Sequence, residues 1–205
     1  MDDLQAIGQD GASGLSAVTG IGWLQRIWSK YLLREGKIRH VGSSEKSGED
    51  GGHTWLAEAV NDDLIEVVMI AYNMMNQSAE KTVYPRCKEN GIGTMGIFTV
   101  RNAFSQPHSL TETVIDLKKR RLLAEDAVPN EDPLGWLLDD DEPSLVSAAY
   151  RFSASNDAIS TIMTGTIDIA HLETNVKSIL KPPLPSKKLA RLHELFGHLA
   201  EVIGN

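Results

Sequence analysis

The chain has 205 residues, of which 41% are hydrophobic and 23% are charged, and its formal net charge is −8. This composition is typical of a globular domain and excludes a collagen-like or largely disordered chain. The acidic balance argues against nucleic acid as a partner, because phosphate backbones require a basic surface. The single cysteine, Cys87, excludes an intramolecular disulfide and is typical of a reducing compartment.

The amino-terminal region shows neither a targeting signal nor a regular pattern. It has no basic region followed by an apolar run, and no apolar run in the chain reaches membrane-spanning length. We therefore expect a cytoplasmic protein without a membrane partner. Glycine and polar residues interrupt any period in residues 1–20, which are predicted to be an irregular segment before a folded unit at 21–205.

From residue 21 onward, helical and strand-like patterns alternate. Runs rich in β-branched and apolar side chains predict strands at 38–43, 64–72, 94–100 and 158–165. Helical spacing predicts helices at 21–32, 53–60, 79–90, 110–123, 144–152, 168–180 and 189–202. This alternation predicts an α/β fold, in which ligand sites gather at the carboxyl ends of the strands.

Two segments between these elements have a specific interpretation. The strand that ends near Gly165 leads into a helix that Asp168 is predicted to cap, and a helix amino terminus above a strand end attracts phosphate. The connection at 125–143 contains the acidic run 139–142, which we interpret as a solvated turn. A metal site there is disfavoured, since clustered carboxylates alone do not fix a coordination geometry.

Several ordered motifs resemble the aldo/keto reductase family. The segment 33–44, LREGKIRHVGSS, is similar to a "GKIR" run of that family. Further similar motifs follow in the family's order: AYNMMNQSA at 71–79, IFTVRNAFS at 97–105, IMTGT at 162–166 and HLETN at 171–175. The resemblance covers roughly residues 21–203. It implies a partial (β/α)8 TIM barrel of about four βα units with an extra C-terminal helix.

The resemblance implies an NAD(P)-dependent oxidoreductase that acts on a small aldehyde, ketone or sugar. It assigns no catalytic residue to this chain. The family's catalytic Asp, Tyr, Lys and His precede the "GKIR" motif, and the 36 residues before Lys37 resemble none of the segments that carry them. Tyr72 and Tyr150 lie in motifs outside that quartet, so we give them little weight as proton donors.

Cofactor-binding positions are implied for NAD or NADP. Ser44 matches a serine that bonds the nicotinamide carboxamide, Phe98 an aromatic ring that stacks on nicotinamide, and Arg101 could meet the pyrophosphate by charge-assisted bonds. Gly165 and Thr166 match the turn that approaches the adenosine phosphate. From the residues alone, three of these positions have an alternative, structural interpretation. Ser44 is then a strand-end cap, Phe98 a core ring and Arg101 a surface side chain.

The remaining comparisons concern the residues that would bind the adenosine end of the cofactor, and two positions at which this chain departs from the family's usual residue. Asn175 matches the residue that bonds adenine, with an exposed polar helix residue as its alternative. His171 stands where NADP-preferring relatives often carry Arg, and this favours NAD or a relaxed choice, because a neutral imidazole holds a 2′-phosphate weakly. Glu45 replaces the usual Asn, and Met69 replaces a Gln and is interpreted as a core side chain.

Two functions stay open from the sequence. The chain is either an oxidoreductase of this family or a non-catalytic truncated product or subunit that binds nucleotide or a partner protein. Half a barrel leaves sheet edges and an inner face uncovered, which invites association. A homodimer that closes a pseudo-barrel is therefore a further hypothesis.

Overall fold

The computed structural model describes residues 23–45, 50–201 and 203, so the predicted irregular segment 1–20 lies outside the described residues. The strands are β1 (Gly42–Ser44), β2 (Val67–Ala71), β3 (Gly93–Ile97) and β4 (Thr161–Ile162). The helices are α1 (Trp23–Arg34), α2 (Thr54–Ala59), α3 (Ala79–Thr82), α4 (Tyr84–Asn90), α5 (Asn102–Ser105), α6 (Pro107–Lys119), α7 (Leu145–Ala154), α8 (Ile169–Ile179) and α9 (Ser186–Phe196). A 3₁₀ turn at Gly135–Leu137 lies between α6 and α7.

The four strands form one parallel sheet in the order β1-β2-β3-β4, which confirms the predicted α/β fold. Val68 and Ile70 of β2 are fully buried, as the apolar run predicts. All four strands are shorter than predicted; β1 begins at Gly42 instead of residue 38, and β4 keeps two residues. Both lie at an end of the sheet and are paired on one side within the described chain, so fewer hydrogen bonds define their bounds.

The predicted helix at 79–90 is interrupted. It divides into α3 and α4 at Val83, whose backbone leaves the helical region at φ −121° and ψ −46°. Pro85 causes the break, because it lacks the N–H that would bond the carbonyl of residue 81. The end of α4 is as predicted, since Gly91 adopts the left-handed conformation at φ 66°.

The main core lies between the sheet and the helices that cover one of its faces. It includes Phe152 of α7 together with Leu192 and Phe196 of α9, so the extra C-terminal helix is an integral part of the fold. The ring of Phe152 stacks on Tyr72, which follows β2, with 5.3 Å between ring centroids. This contact ties α7 to the sheet near the carboxyl end of β2.

Cys87 of α4 belongs to this core, and we expect its thiol to be inert in the folded protein. Its exposed fraction is 2%, and burial raises the pKa of the thiol to about 11. A free thiol has a pKa of roughly 8.5, so the thiolate fraction at pH 8 falls by about a hundredfold. Modification by a chromogenic disulfide reagent should be at least that much slower than in urea-unfolded chain. Equal rates in the two states would contradict this burial.

The acidic run at 139–142 is only partly the solvated turn that was predicted. Asp139, Asp140 and Asp141 are exposed, whereas the exposed fraction of Glu142 is 1%. Glu142 lies 2.9 Å from the guanidinium of Arg151 on α7, which is also buried. The prediction was wrong for this residue, because a pattern of charges along the chain does not show which charge meets a buried partner.

Candidate functional site

The carboxyl end of β1 brings Ser44 to the side of the sheet opposite the main core. Ser44 pairs in register with Met69 of β2, which pairs with Met95 of β3. Both methionines are half-buried, so the prediction of Met69 as a core side chain is only partly met. The exposed Ser44 hydroxyl donates to the carbonyl of Glu45 at 3.3 Å, a local contact that also fits the strand-end alternative.

A buried carboxylate–imidazole pair lies directly beyond Ser44. The Glu45 side chain is buried, and its Oε2 is 2.7 Å from Nδ1 of the fully buried His53. His53 precedes α2 with a left-handed backbone at φ 58°. This contact was not predicted from the sequence, because Glu45 and His53 are eight residues apart along the chain and no motif links them.

Phe98 and Arg101, which follow β3, contact each other. The guanidinium carbon of Arg101 lies 4.1 Å from the centroid of the Phe98 ring, a close cation–π geometry. Arg101 is half-buried, so the surface alternative describes it poorly. Burial lowers the pKa of Arg101, while the negative charge of Glu45 acts in the opposite direction. The ends of β1 and β3 are therefore linked electrostatically at this edge of the sheet.

The backbone of Phe98 is itself unusual. Its φ is 54°, which a non-glycine residue rarely adopts, and Asn73 Nδ2 donates to its carbonyl at 3.1 Å. Strained backbone of this kind often accompanies a binding site, because the surrounding structure must hold the side chain in one direction. Here the conformation fixes the ring at the end of β3 and below Arg101.

The turn between β4 and α8 contains the exposed Gly165 and Thr166. A Cβ placed on Gly165 would meet no atom within 4 Å, so the space above this backbone is open. The Thr166 hydroxyl accepts from the amide of Asp168 at 3.1 Å. A ligand could approach the turn closely at Gly165.

Asp168 caps α8 as the sequence predicts. Its carboxylate accepts from the amides of Ala170 and His171 at 2.7 and 3.2 Å, and these bonds lower its pKa. The cap occupies amides that would otherwise face an anion, and its charge offsets the helix dipole. A phosphate at this turn would therefore depend on Gly165, Thr166 and a neighbouring cation more than on the helix terminus.

Asn175 is buried in α8, which does not fit the alternative of an exposed helix residue. Its Nδ2 donates to the Thr164 hydroxyl at 2.8 Å, and the hydroxyl of Tyr150 lies 2.8 Å from the same oxygen. His171, one turn earlier on α8, is exposed. The predicted adenosine contacts are therefore a buried amide and a solvent-facing imidazole on one helix.

The candidate residues fall into three local groups at the carboxyl edge of the sheet. Ser44 lies at the end of β1, Phe98 and Arg101 lie together after β3, and the rest lie on the turn and helix after β4. This last group comprises Gly165, Thr166, His171 and Asn175. Because β3 and β4 are adjacent, the second and third groups are neighbours, whereas Ser44 lies two strands from β3.

A second polar cluster, on the helical side of the sheet, was not predicted. Tyr72 donates to Glu80, and Asn156 Nδ2 donates to both at 3.1 and 3.2 Å. These residues and His193 line a cavity of about 260 Å³. Burial and Glu80 raise the pKa of Tyr72 far above its usual value, so Tyr72 is a poor proton donor. The side chains mainly satisfy one another, which indicates a structural network.

The described ranges hold neither a cluster of metal ligands nor a membrane-spanning helix. Residues 23–45, 50–201 and 203 contain no group of three or more His, Cys, Asp or Glu side chains arranged to bind a metal ion. In that same part of the chain, no helix combines the length and the apolar character that crossing a bilayer requires.

The parallel sheet, its covering helices and the cluster of candidate residues at its carboxyl edge define part of a (β/α)-barrel protein. The sequence profile of the aldo/keto reductase family matches residues 30–196, which is most of the chain. The chain therefore belongs to the aldo/keto reductase family, as the motifs implied. No curated protein sequence matches it.

Solved structures of similar fold come from the same family. The holo form of the aldo-keto reductase AKR11C1 from Bacillus halodurans is 20% identical, with a TM-score of 0.53 over 82% of this chain and 53% of that chain. An aldo-keto reductase from Klebsiella pneumoniae in complex with NADPH is 17% identical, with a TM-score of 0.54 over 84% of this chain and 53% of that chain. The chain thus spans about half the length of these relatives, which confirms the predicted partial TIM barrel.

Proposed function

We propose that this chain binds a nicotinamide dinucleotide and forms the cofactor half of an oxidoreductase acting on a small aldehyde, ketone or sugar. The observation that carries the proposal is the Phe98–Arg101 stack at the end of β3, whose neighbour β4 leads into the open turn at Gly165. An aromatic ring can stack on nicotinamide, and a guanidinium can bind the pyrophosphate by charge-assisted hydrogen bonds. The single buried cysteine supports a reducing, cytoplasmic setting.

The residues present fit this cofactor in distinct roles. Phe98 would hold the nicotinamide ring, with Ser44 near its carboxamide, and Arg101 would bind the pyrophosphate. Thr166 and Asn175 would bind the adenosine part over the open backbone of Gly165. A bound dinucleotide supplies hydride chemistry, while these residues orient it and exclude water.

Whether NADP or NAD is preferred depends on His171. The relative from Klebsiella pneumoniae is solved with NADPH, which supports the phosphorylated form. His171 is exposed and, unlike Arg, provides no permanent positive charge for a 2′-phosphate. We expect NADPH to bind better than NADH by less than about tenfold, because one neutral hydrogen bond is worth roughly 0.5–1.5 kcal/mol.

Gly165→Val tests the cofactor turn without disturbing the fold. The added side chain enters open space, so thermal stability should change little. The branched side chain would obstruct the close approach of the dinucleotide, and we expect about tenfold weaker NADPH binding, or about 1.4 kcal/mol. Fluorescence titration measures the affinity, with Thr174→Ala on the exposed side of α8 as the matched control. Equal affinities for wild type and Gly165→Val would contradict the proposed turn.

The second candidate function is binding of nucleotide or of a partner protein without turnover. It is favoured because the resemblance assigns cofactor-binding residues to this chain but none of the family's catalytic Asp, Tyr, Lys and His. Absorbance of NADPH and NADH in the presence of aldehydes, ketones and aldoses separates the two functions. Turnover by the chain alone, abolished in Phe98→Ala, would exclude the non-catalytic function.

A further inference from the structure

The structural network on the helical side of the sheet also forms the wall of a cavity. The cavity is lined by residues of α3, α7 and α9, has a volume of about 260 Å³ and includes none of the candidate cofactor residues. Pockets for drug-sized ligands measure roughly 300–1,000 Å³, so a ligand here would be smaller. Leu189 and the ring of Phe152 form the apolar part of the wall, which suits an alkyl group.

The side-chain donors of the network are already used inside the protein. The Tyr72 hydroxyl donates to Glu80, and the Asn156 amide donates to both of these residues. The hydroxyl of Ser155, which also lines the cavity, donates to the carbonyl of Phe152 at 2.7 Å. The lone pairs of these groups, by contrast, are not all occupied.

His193 follows the same pattern, because Gln77 fixes its tautomer. The amide nitrogen of Gln77 donates to the carbonyls of Met74 and Leu192 at 2.7 and 3.2 Å, so the amide oxygen faces His193. That oxygen lies 2.7 Å from Nδ1 of His193, which therefore carries a proton. In the neutral imidazole Nε2 is then an acceptor. The side chains that line the cavity thus offer acceptors to a ligand but no donors.

The wall also carries negative charge. Within residues 23–45, 50–201 and 203, Glu80 has one ion-pair neighbour, His193, whose Nδ1 lies 3.9 Å from its Oε2 and bonds Gln77 instead. The exposed Asp157 adds a second carboxylate, one oxygen of which pairs with Lys88 at 2.7 Å. This part of the wall follows the carboxyl end of α7, where the helix dipole is negative and favours a cation.

We propose that this cavity binds the ammonium group of a small primary alkylamine. An ammonium group brings three N–H donors and one positive charge, which complement Oε2 of Glu80, Nε2 of His193 and the carboxylate of Asp157. The alkyl chain would contact Leu189 and the Phe152 ring. An anion does not fit, because no side-chain donor is left for it. A metal ion does not fit either, since the described residues contain no group of three or more ligands.

The neighbouring cavity, on the other side of Glu80 and His193, has a different character. It is lined by Lys81, whose ammonium donates to the carbonyl of Gly197 at 2.8 Å. A cation of the protein already occupies that wall and would repel a second one. The proposed site is therefore confined to the cavity that Asn156 lines.

An NMR titration of the whole chain at constant ionic strength tests the proposal, with n-butylammonium chloride as the probe. We expect saturable shifts of the Asn156 side-chain amide, which give both the location and the affinity. n-Butanol lacks the charge and tetramethylammonium lacks the N–H donors, so each should bind at least about tenfold more weakly. Equal affinity for the three probes, or an Asn156 amide that n-butylammonium leaves unshifted, would overturn the proposal.

Two variants and a control assign the binding to the carboxylates. Glu80→Gln keeps an oxygen for the Tyr72 hydroxyl but removes the charge, and it should weaken n-butylammonium binding about tenfold. Glu89→Gln is the matched control, because Glu89 is an exposed helical residue outside the wall, and it should leave the affinity unchanged.

Asp157→Asn alters an exposed side chain and serves where Glu80→Gln does not fold. It should weaken n-butylammonium binding about threefold, as expected of an exposed charge. Unchanged affinity in folded Glu80→Gln, or in Asp157→Asn where Glu80→Gln does not fold, would contradict the proposal. These measurements involve no dinucleotide, so the amine site can fail while the proposed function stands.

Discussion

Replacing Arg151 with methionine is expected to lower the free energy of unfolding by about 3–5 kcal/mol, because it leaves the buried Glu142 carboxylate without its cation. The guanidinium also donates to the carbonyls of Pro182 and Pro183 at 3.0 and 3.3 Å, and to Asp141 at 2.8 Å. Arg151 thereby joins α7, the acidic run and the proline segment before α9. Chemical denaturation measures the loss.

Two further variants separate the ion pair from general damage to the fold. Arg151→Met combined with Glu142→Leu should recover part of the lost stability, since a buried apolar pair avoids the desolvation of an unpaired charge. Asp140→Asn removes an exposed charge from the same run and should change stability by less than about 0.5 kcal/mol. If the single Arg151→Met variant is as stable as wild type, the pair is not structural.

The sequence was sufficient for the alternation of strands and helices and for several helix ends, because these depend on local patterns. The apolar run of β2, the αL glycine at Gly91 and the cap at Asp168 all act within a few residues. Pro85 carries the information for the break between α3 and α4, which the prediction of a single helix at 79–90 did not use. A proline inside a helical pattern removes a backbone hydrogen bond and divides the helix, whatever the apolar spacing around it.

The sequence selects candidate site residues one by one, but it does not contain their arrangement. Motif resemblance selected Phe98 and Arg101 separately, and the fold shows that their side chains touch. The Glu45–His53 pair was missed, because the sequence does not show that the two side chains are buried and in contact. Contacts across a loop or between strand ends depend on tertiary placement, which periodicity does not contain.

Replacing Arg101 with methionine is expected to weaken NADPH binding by about a hundredfold. A charge-assisted hydrogen bond to phosphate contributes roughly 1.5–3 kcal/mol, and the upper part of this range corresponds to two orders of magnitude in affinity. The apolar side chain keeps contact with the Phe98 ring, so the fold should persist. Fluorescence titration measures the affinity, and circular dichroism checks the fold.

The Glu45→Gln variant tests whether the Glu45 carboxylate positions Arg101. The buried Glu45 charge favours the cationic Arg101, and glutamine keeps an acceptor for His53 while removing that charge. If Glu45 positions Arg101, Glu45→Gln should weaken NADPH binding by about tenfold, and it should add little in the Arg101→Met background, as a double-mutant cycle would show. If the carboxylate instead repels the cofactor phosphates, Glu45→Gln would tighten binding in both backgrounds. The sign of the change therefore distinguishes a residue that acts through Arg101 from one that acts on the ligand.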